Sequence, residues 1–159
     1  MSYKTDNFLH ISAEDNPAAQ TISTTYTEIT GSKCEIKSIN PSPTLMYKFS
    51  FYQMYDYPTL NVQFLHIKLQ KSNDNFSSNI IDVPNCNFNI SGDTQESNDF
   101  SYKTVNCFFI VENFDSKYLR LVARSYSTSY ESYLHKSPEY DGVTNSNAHY
   151  NPSLIVVEL

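Results

Sequence analysis

The segment SLIVVEL at residues 153–159 constrains the fold more than any other part of the sequence. Because side chains alternate between the two faces of a strand, Ile155, Val157 and Leu159 would point one way. Leu154 and Val156 would point the other way, so both faces are apolar. Such a strand predicts a layer of protein on each side. In a small domain, the second layer can be another copy of the chain.

The remaining sequence also has the character of a β protein. It contains 13 Tyr and 10 Phe, which favour strands, but only 3 Gly and no Trp. Residues 45–52 alternate with a period of two, and no segment has convincing helical periodicity. We therefore predict an all-β fold for residues 20–159, a jelly-roll sandwich of eight to nine antiparallel strands. Within it, we expect residues 102–112 and 118–126 to pair as a hairpin.

Residues 1–19 are polar up to Pro17 and predict a short N-terminal arm that precedes the jelly-roll domain. Two interpretations are open: an unstructured tail, and an anchor that becomes ordered against a partner. In the second interpretation, the tether consists of the apolar side chains of the arm, which are Tyr3, Phe8, Leu9 and Ile11.

Residues 60–70 and 102–112 are also apolar on both faces, as the last strand is. Exposed patches of that size are a liability in a monomer, so we predict that they are buried in an oligomer. The alternative is a bulge that resets the pattern at Phe64–Leu65 or at Phe108–Phe109. The candidate subunit-interface residues are Val62, Phe64, Phe108, Ile110, Leu154 and Val156.

The sequence shows no pattern that is typical of an enzyme or of a cofactor site. No Gly-rich phosphate loop and no GxSxG motif is present, and the histidines lack metal-ligand spacing. We therefore expect no catalytic residue, no cofactor and no metal. The four histidines are His10, His66, His135 and His149.

Charge and cysteine content limit the possible partners further. The chain has 11 Lys and Arg against 17 Asp and Glu, a net charge of −6, which disfavours a nucleic-acid partner. No apolar run is long enough to span a membrane, so we expect no membrane association. Cys34, Cys86 and Cys107 predict buried reduced thiols, with one disulfide and one free thiol as the alternative.

Arg120 and Arg124 share one strand face with Tyr118 and Tyr126. Stacking of arginine on aromatic rings serves a structural role as often as it marks a ligand site. Both interpretations are therefore open. The loops at 71–79, 92–99 and 138–151 are rich in polar residues that either face water or contact a surface polymer.

Short motifs in four segments resemble a module of tailed-bacteriophage virion proteins. The segments are ISTTYTEITGSKCEI (22–36), LMYKFSFYQM (45–54), LRLVARSYSTSYESYLHKSPEYDG (119–142) and PSLIVVEL (152–159). The resemblance implies a head similar to the trimeric tumour-necrosis-factor-like fold, in which three copies pack around an axis through one sheet face. It implies no catalytic residues. One departure is Tyr140, which stands where such modules usually carry Trp.

This resemblance gives the functional expectation. We expect a non-enzymatic virion structural protein of a tailed phage, a trimeric capsid decoration or head-fibre protein located in the virion. Its partners would be two further copies of itself and the major capsid protein or another virion protein. One alternative is a receptor- or glycan-binding tip of a tail fibre or spike, with a host surface glycan as its partner. A third possibility is a cellular carbohydrate-binding sandwich.

Overall fold

A computed structural model describes residues 7–13, 19–55, 63–92, 101–126, 132–137, 148–149 and 151–159. Within these ranges the secondary structure consists of strands and turns, without a helix. The strands are β1 (Asn7–Ala13), β2 (Gln20–Ile22), β3 (Thr27–Glu28), β4 (Cys34–Glu35), β5 (Leu45–Tyr55), β6 (Gln63–Ser72), β7 (Ile81–Gly92), β8 (Ser101–Val111), β9 (Tyr118–Ser125), β10 (Ser132–Leu134), β11 (Lys136–Ser137), β12 (Ala148–His149) and β13 (Ser153–Glu158).

The long strands form two antiparallel sheets. Sheet A has the order β1-β13-β5-β8, and the short strands β10 and β2 continue it beside the far end of β5. Sheet B has the order β3-β9-β6-β7. The short strand β4 also pairs with β9, at the start of β9, whereas β3 pairs further along it. Strands β11 and β12 pair only with each other among the described residues.

The strand order is that of a jelly roll. When β3 and β4 count as one position and the short strands β2, β10, β11 and β12 are left out of the count, sheet A contains the first, eighth, third and sixth positions along the chain. Sheet B contains the second, seventh, fourth and fifth. This arrangement confirms the predicted all-β jelly-roll sandwich. The described residues hold more strands than the eight or nine predicted because several are only two or three residues long.

The hydrophobic core lies between the two sheets. Tyr47 and Phe49 of β5 and Leu65 and Ile67 of β6 are completely buried there. Full burial of an aliphatic side chain such as Leu65 or Ile67 contributes about 1.5–3 kcal/mol to folding. The hydroxyl of Tyr47 donates a hydrogen bond to the carbonyl of Ser32, so this buried polar group is satisfied.

Strand β13 lies inside sheet A, between β1 and β5. The predicted strand at residues 153–159 is therefore confirmed, and the structure places it in the interior of a sheet. Its partner β1 covers residues 7–13, and Leu9 of β1 packs against the core. The structure thus places this part of the predicted arm within sheet A.

The predicted hairpin between residues 102–112 and 118–126 is wrong. Strand β8 pairs with β5 in sheet A, whereas β9 pairs with β6 in sheet B. The connection contains Phe114, which is buried, and whose amide donates to the carbonyl of Pro43 at 2.9 Å. Because this aromatic anchor enters the core, the short loop crosses from one sheet to the other, about 10 Å away.

Strand β7 carries a bulge beside β8. Asn87 of β7 lies opposite Lys68 of β6, and Asp82 lies opposite Gln70, so four residues of β7 stand against one of β6. Within this bulge the thiol of Cys86 lies 3.9 Å from the carbonyl oxygen of Ile110 in β8. Bulges of this kind protect a sheet edge from pairing with other chains.

All three cysteines are free and buried, which confirms the prediction of reduced thiols. Burial raises the pKa of Cys34 and Cys107 to about 12, so neither is a reactive thiolate at neutral pH.

Candidate interaction surface

The outer face of sheet A carries two rows of mostly apolar side chains that run across four strands. Residues directly opposite each other in paired strands share a face. The first row is Phe8, Val157, Met46 and Ile110, in the strands β1, β13, β5 and β8. The second row, in the same strands, is Ile11, Ile155, Lys48 and Phe108. We call these eight residues the sheet A face.

The two edges of the sheet A face are the most exposed parts. Phe108 and Ile110 of β8 are 58% and 42% exposed, and Phe8 and Ile11 of β1 are 52% and 64% exposed. Val157 in the middle of the face is buried. Contiguous exposed apolar side chains on a soluble domain mark an interaction surface.

Lys48 is the single charged residue of the sheet A face. It is exposed, and it belongs to none of the ion pairs formed among the described residues. Its aliphatic stem can cover apolar neighbours while the ammonium group stays at the surface. A partner that covers this face would therefore need to place a carboxylate, or solvent, against Lys48.

The sequence correctly predicts that Phe108 and Ile110 lie on an outward face, but it is wrong about Leu154 and Val156. Both of these residues are completely buried in the core of the chain itself. The reason is the register, which sets Leu154 opposite Phe49 and Val156 opposite Tyr47. Both partners point inward, so the outward residues of β13 are the alternate ones.

Phe64 also lies away from the sheet A face. It is 43% exposed, but it belongs to β6 and therefore to the outer face of sheet B, on the opposite side of the sandwich. Val62 lies outside the described residues. The six predicted interface residues thus do not form one surface.

The alternative explanation by bulges does not account for the exposed residues. Strands β5 and β8 pair without interruption from Leu45–Val111 to Tyr55–Ser101, so there is no bulge at Phe108–Phe109. In the pairing of β6 with β7, the register shift lies between Lys68 and Gln70 and not at Phe64–Leu65.

The predicted tether residues separate into different environments. Phe8 and Ile11 belong to the sheet A face, Leu9 packs against the core, and Tyr3 lies outside the described residues. A register shift between Phe8 and His10 allows Phe8 and Ile11 to share a face although they are an odd number of residues apart. No sequence pattern indicates that shift.

A buried polar pair lies at the far end of β5, and sequence reasoning missed it. Gln53 and His135 are completely buried, and among the described residues neither the amide atoms of Gln53 nor the ring nitrogens of His135 have a hydrogen-bond partner. The His135 ring packs edge-on against Phe51, 6.3 Å between centroids. Burial lowers the pKa of His135 to about 4, so it is neutral at pH 7.

Among the described residues, no three His, Cys, Asp or Glu side chains come together in a group that could hold a metal ion. The same part of the chain contains no helix of the length and apolar character needed to cross a membrane. Comparison with models of known protein families and with curated proteins gives no match. The sheet A face, with its exposed apolar side chains, is the feature from which the proposed function is argued.

Proposed function

We propose that the protein is a non-enzymatic structural protein of a tailed-phage particle that assembles as a homotrimer through the sheet A face. The observation that carries the proposal is the pair of apolar rows across β1, β13, β5 and β8. Burial of these side chains between copies removes apolar area from water, at about 25 cal/mol per Å². The number three and the placement on a capsid rest on the resemblance to phage virion modules.

The exposure pattern supports contact between copies through the edges of the sheet. Phe108 and Ile110 at one edge, and Phe8 and Ile11 at the other, protrude on either side of the covered Val157. Around a threefold axis, each copy presents two different surfaces to its two neighbours. The β8 edge of one copy and the β1 edge of the next are such a pair of surfaces.

This assignment changes the role proposed for the arm. Phe8 and Ile11 are used in the trimer, so they do not tether the protein to a capsid. We propose that residues 1–6, with Tyr3, contact the major capsid protein or another virion protein.

The oligomeric state tests the proposal directly. Wild-type protein is expected to sediment as a trimer, because separate copies would leave the apolar rows in water. Phe108→Asp should shift the protein to monomer, because it places a carboxylate in the row. The matched control is Phe64→Asp, which changes a comparably exposed aromatic residue on sheet B and should remain a trimer.

Sedimentation velocity measures these states, and circular dichroism shows whether each variant is folded. A wild-type monomer over the whole accessible concentration range would refute the trimer. A trimer that survives Phe108→Asp but dissociates in Phe64→Asp would move the interface to sheet B.

The location of the protein is tested separately on intact phage particles. Labelling with antibody and imaging should place it on the head, which fits a capsid decoration or head-fibre protein. Label at the tail tip would favour the alternative function, a receptor- or glycan-binding tip of a tail fibre or spike. Particles without the protein would refute both placements.

A further inference from the structure

The two arginines of β9 occupy the outer face of sheet B, and they differ in their bonding. Arg120 donates two hydrogen bonds to the side-chain oxygen of Gln70, at 3.1 and 3.0 Å, and one to Glu28 at 3.1 Å. Its guanidinium also lies 4.1 Å from the ring centre of Phe76. Arg120 is therefore committed to contacts within the chain, which is the structural one of the two roles predicted for this pair.

Arg124 has no comparable commitment. Its side chain is exposed, and its guanidinium carbon lies 4.9 Å from the ring centre of Tyr26. Within the described part of the chain, it takes part in no ion pair. Its N–H groups form a planar fork that fits a carboxylate, so they are available to a ligand.

The surroundings of Arg124 are positively charged, although the chain as a whole has a net charge of −6. The ammonium group of Lys68 lies 4.0 Å from the same Tyr26 ring. The hydroxyl of Tyr26 is hydrogen-bonded to the ring of His66. The pKa of His66 is lowered, first by burial and then by the charges of Arg124 and Lys68. Lys68 is partly neutralised by Asp82, at 2.7 Å, whereas Arg124 is not paired in this way.

An exposed aromatic pair lies beside this positive charge. Tyr126 follows Arg124 by two residues and so points to the same side of the strand, about 7 Å further along. It is 83% exposed and packs edge-on against Phe64, 6.4 Å between ring centres. On the neighbouring strand β7, Asn89 lies opposite His66, and Asn87 lies opposite Lys68. Both of these amides are exposed.

We propose that the outer face of sheet B binds a saccharide that carries a carboxylate, with Arg124 as the residue that recognises the acid. The charge complementarity is direct, because an arginine fork and a carboxylate form paired, charge-assisted hydrogen bonds. Tyr126 and Phe64 offer an apolar surface to the carbon face of the sugar ring. The exposed amide of Asn89 can both donate and accept hydrogen bonds, as sugar hydroxyls require, whereas the Asn87 side chain is hydrogen-bonded to His66.

This inference goes beyond the proposed structural role, since it uses the opposite sheet from the trimer interface. The two ideas can therefore fail independently. Sedimentation of Arg124→Gln should still show a trimer, and Phe108→Asp should leave the saccharide site unchanged in the folded monomer.

The test measures binding of oligogalacturonate and of its methyl ester by isothermal titration calorimetry. The two probes share the sugar ring and differ in the carboxylate charge. Wild-type protein should bind the acid, and bind the ester at least about tenfold more weakly. Arg124→Gln should lower affinity for the acid by a similar factor and remove the preference over the ester. Added salt should weaken binding of the acid.

Two further variants sharpen the test. Lys117→Gln removes an exposed cation beside the start of β9 and should leave affinity unchanged. Tyr126→Ala should weaken binding of the acid and the ester alike, since it removes the shared apolar contact. Thermal unfolding of each variant shows that the fold is intact.

Three results would overturn the proposal. One is the absence of measurable binding of oligogalacturonate to the wild type. Another is an equal loss of affinity in Lys117→Gln and Arg124→Gln, which would indicate only a general charge effect. The third is competition by inorganic phosphate together with no effect of Tyr126→Ala, which would reduce the site to an anion site without sugar recognition.

Discussion

Replacing His135 by asparagine tests whether a buried neutral histidine makes the fold sensitive to acid. His135 is completely buried, its ring nitrogens have no hydrogen-bond partner in the described part of the chain, and its backbone has a positive φ of 62°. Asparagine does not titrate in this range, and it tolerates a left-handed backbone better than most residues do. The substitution therefore removes the titrating group with little strain on the chain.

The magnitude follows from the pKa. Burial lowers the pKa of His135 to about 4 in the folded protein, whereas an exposed histidine in the unfolded chain has a value near 6.5. Between these values the unfolded chain binds more protons, so the stability of the fold decreases as the pH falls. At about 1.36 kcal/mol per pH unit, the loss from pH 7 to pH 4 is about 3 kcal/mol.

The assay is urea unfolding, followed by circular dichroism, at a series of pH values from 7 to 4. The free energy of unfolding of the wild type should fall more steeply than that of His135→Asn, and the two curves should separate by about 3 kcal/mol across this window. His10→Asn is the matched control, since His10 is only half-buried and should keep most of the wild-type slope. Equal slopes in the wild type and in His135→Asn would refute the reasoning.

Two more predictions concern the core and a loop. Leu154→Ala should lower the free energy of unfolding by about 2–5 kcal/mol, because Leu154 is completely buried in the core, whereas Ile39→Ala, at a fully exposed position outside the sheet A face, should cost much less. Urea unfolding compares the two variants, and equal losses would contradict the placement of Leu154 in the core. The carboxylate of Asp74 accepts bonds from the hydroxyls of Ser72 and Ser78, at 2.7 and 2.6 Å, and from the amide of Ser78 at 3.0 Å. Asp74→Ala should therefore speed hydrogen exchange of that amide, and unchanged exchange would show that other contacts hold the loop.

Much of the fold could be predicted from the sequence because strands have a short, regular period. The alternation in residues 45–52 and the apolar segment at 153–159 indicate strands, and β5 and β13 lie there. The positions of the strands could be predicted better than the partners with which they pair. Residues 102–112 and 118–126 have the pattern of a hairpin, yet Phe114 directs the connection across the core to the other sheet.

Only part of the candidate sites could be predicted. Phe108 and Ile110 follow from their own strand, in which alternate residues are apolar on both sides. The presence of Phe8 and Ile11 in the sheet A face could not be predicted, because it depends on a register shift in β1 and on pairing with the distant strand β13. The sequence also did not predict that Arg120 is hydrogen-bonded within the chain while Arg124 is exposed. Glu28 and Gln70 come close to Arg120 only when sheet B forms.

The sequence by itself determines which side chains of a strand share a face, because the period of two is a property of the extended backbone. It does not determine which face becomes the core when both are apolar. In β13, Leu154 and Val156 could have been either the inner or the outer pair. Tertiary structure decides this, because pairing with β5 sets them opposite Phe49 and Tyr47, whose side chains pack against sheet B. That choice leaves Ile155 and Val157 on the outer side and so creates the sheet A face.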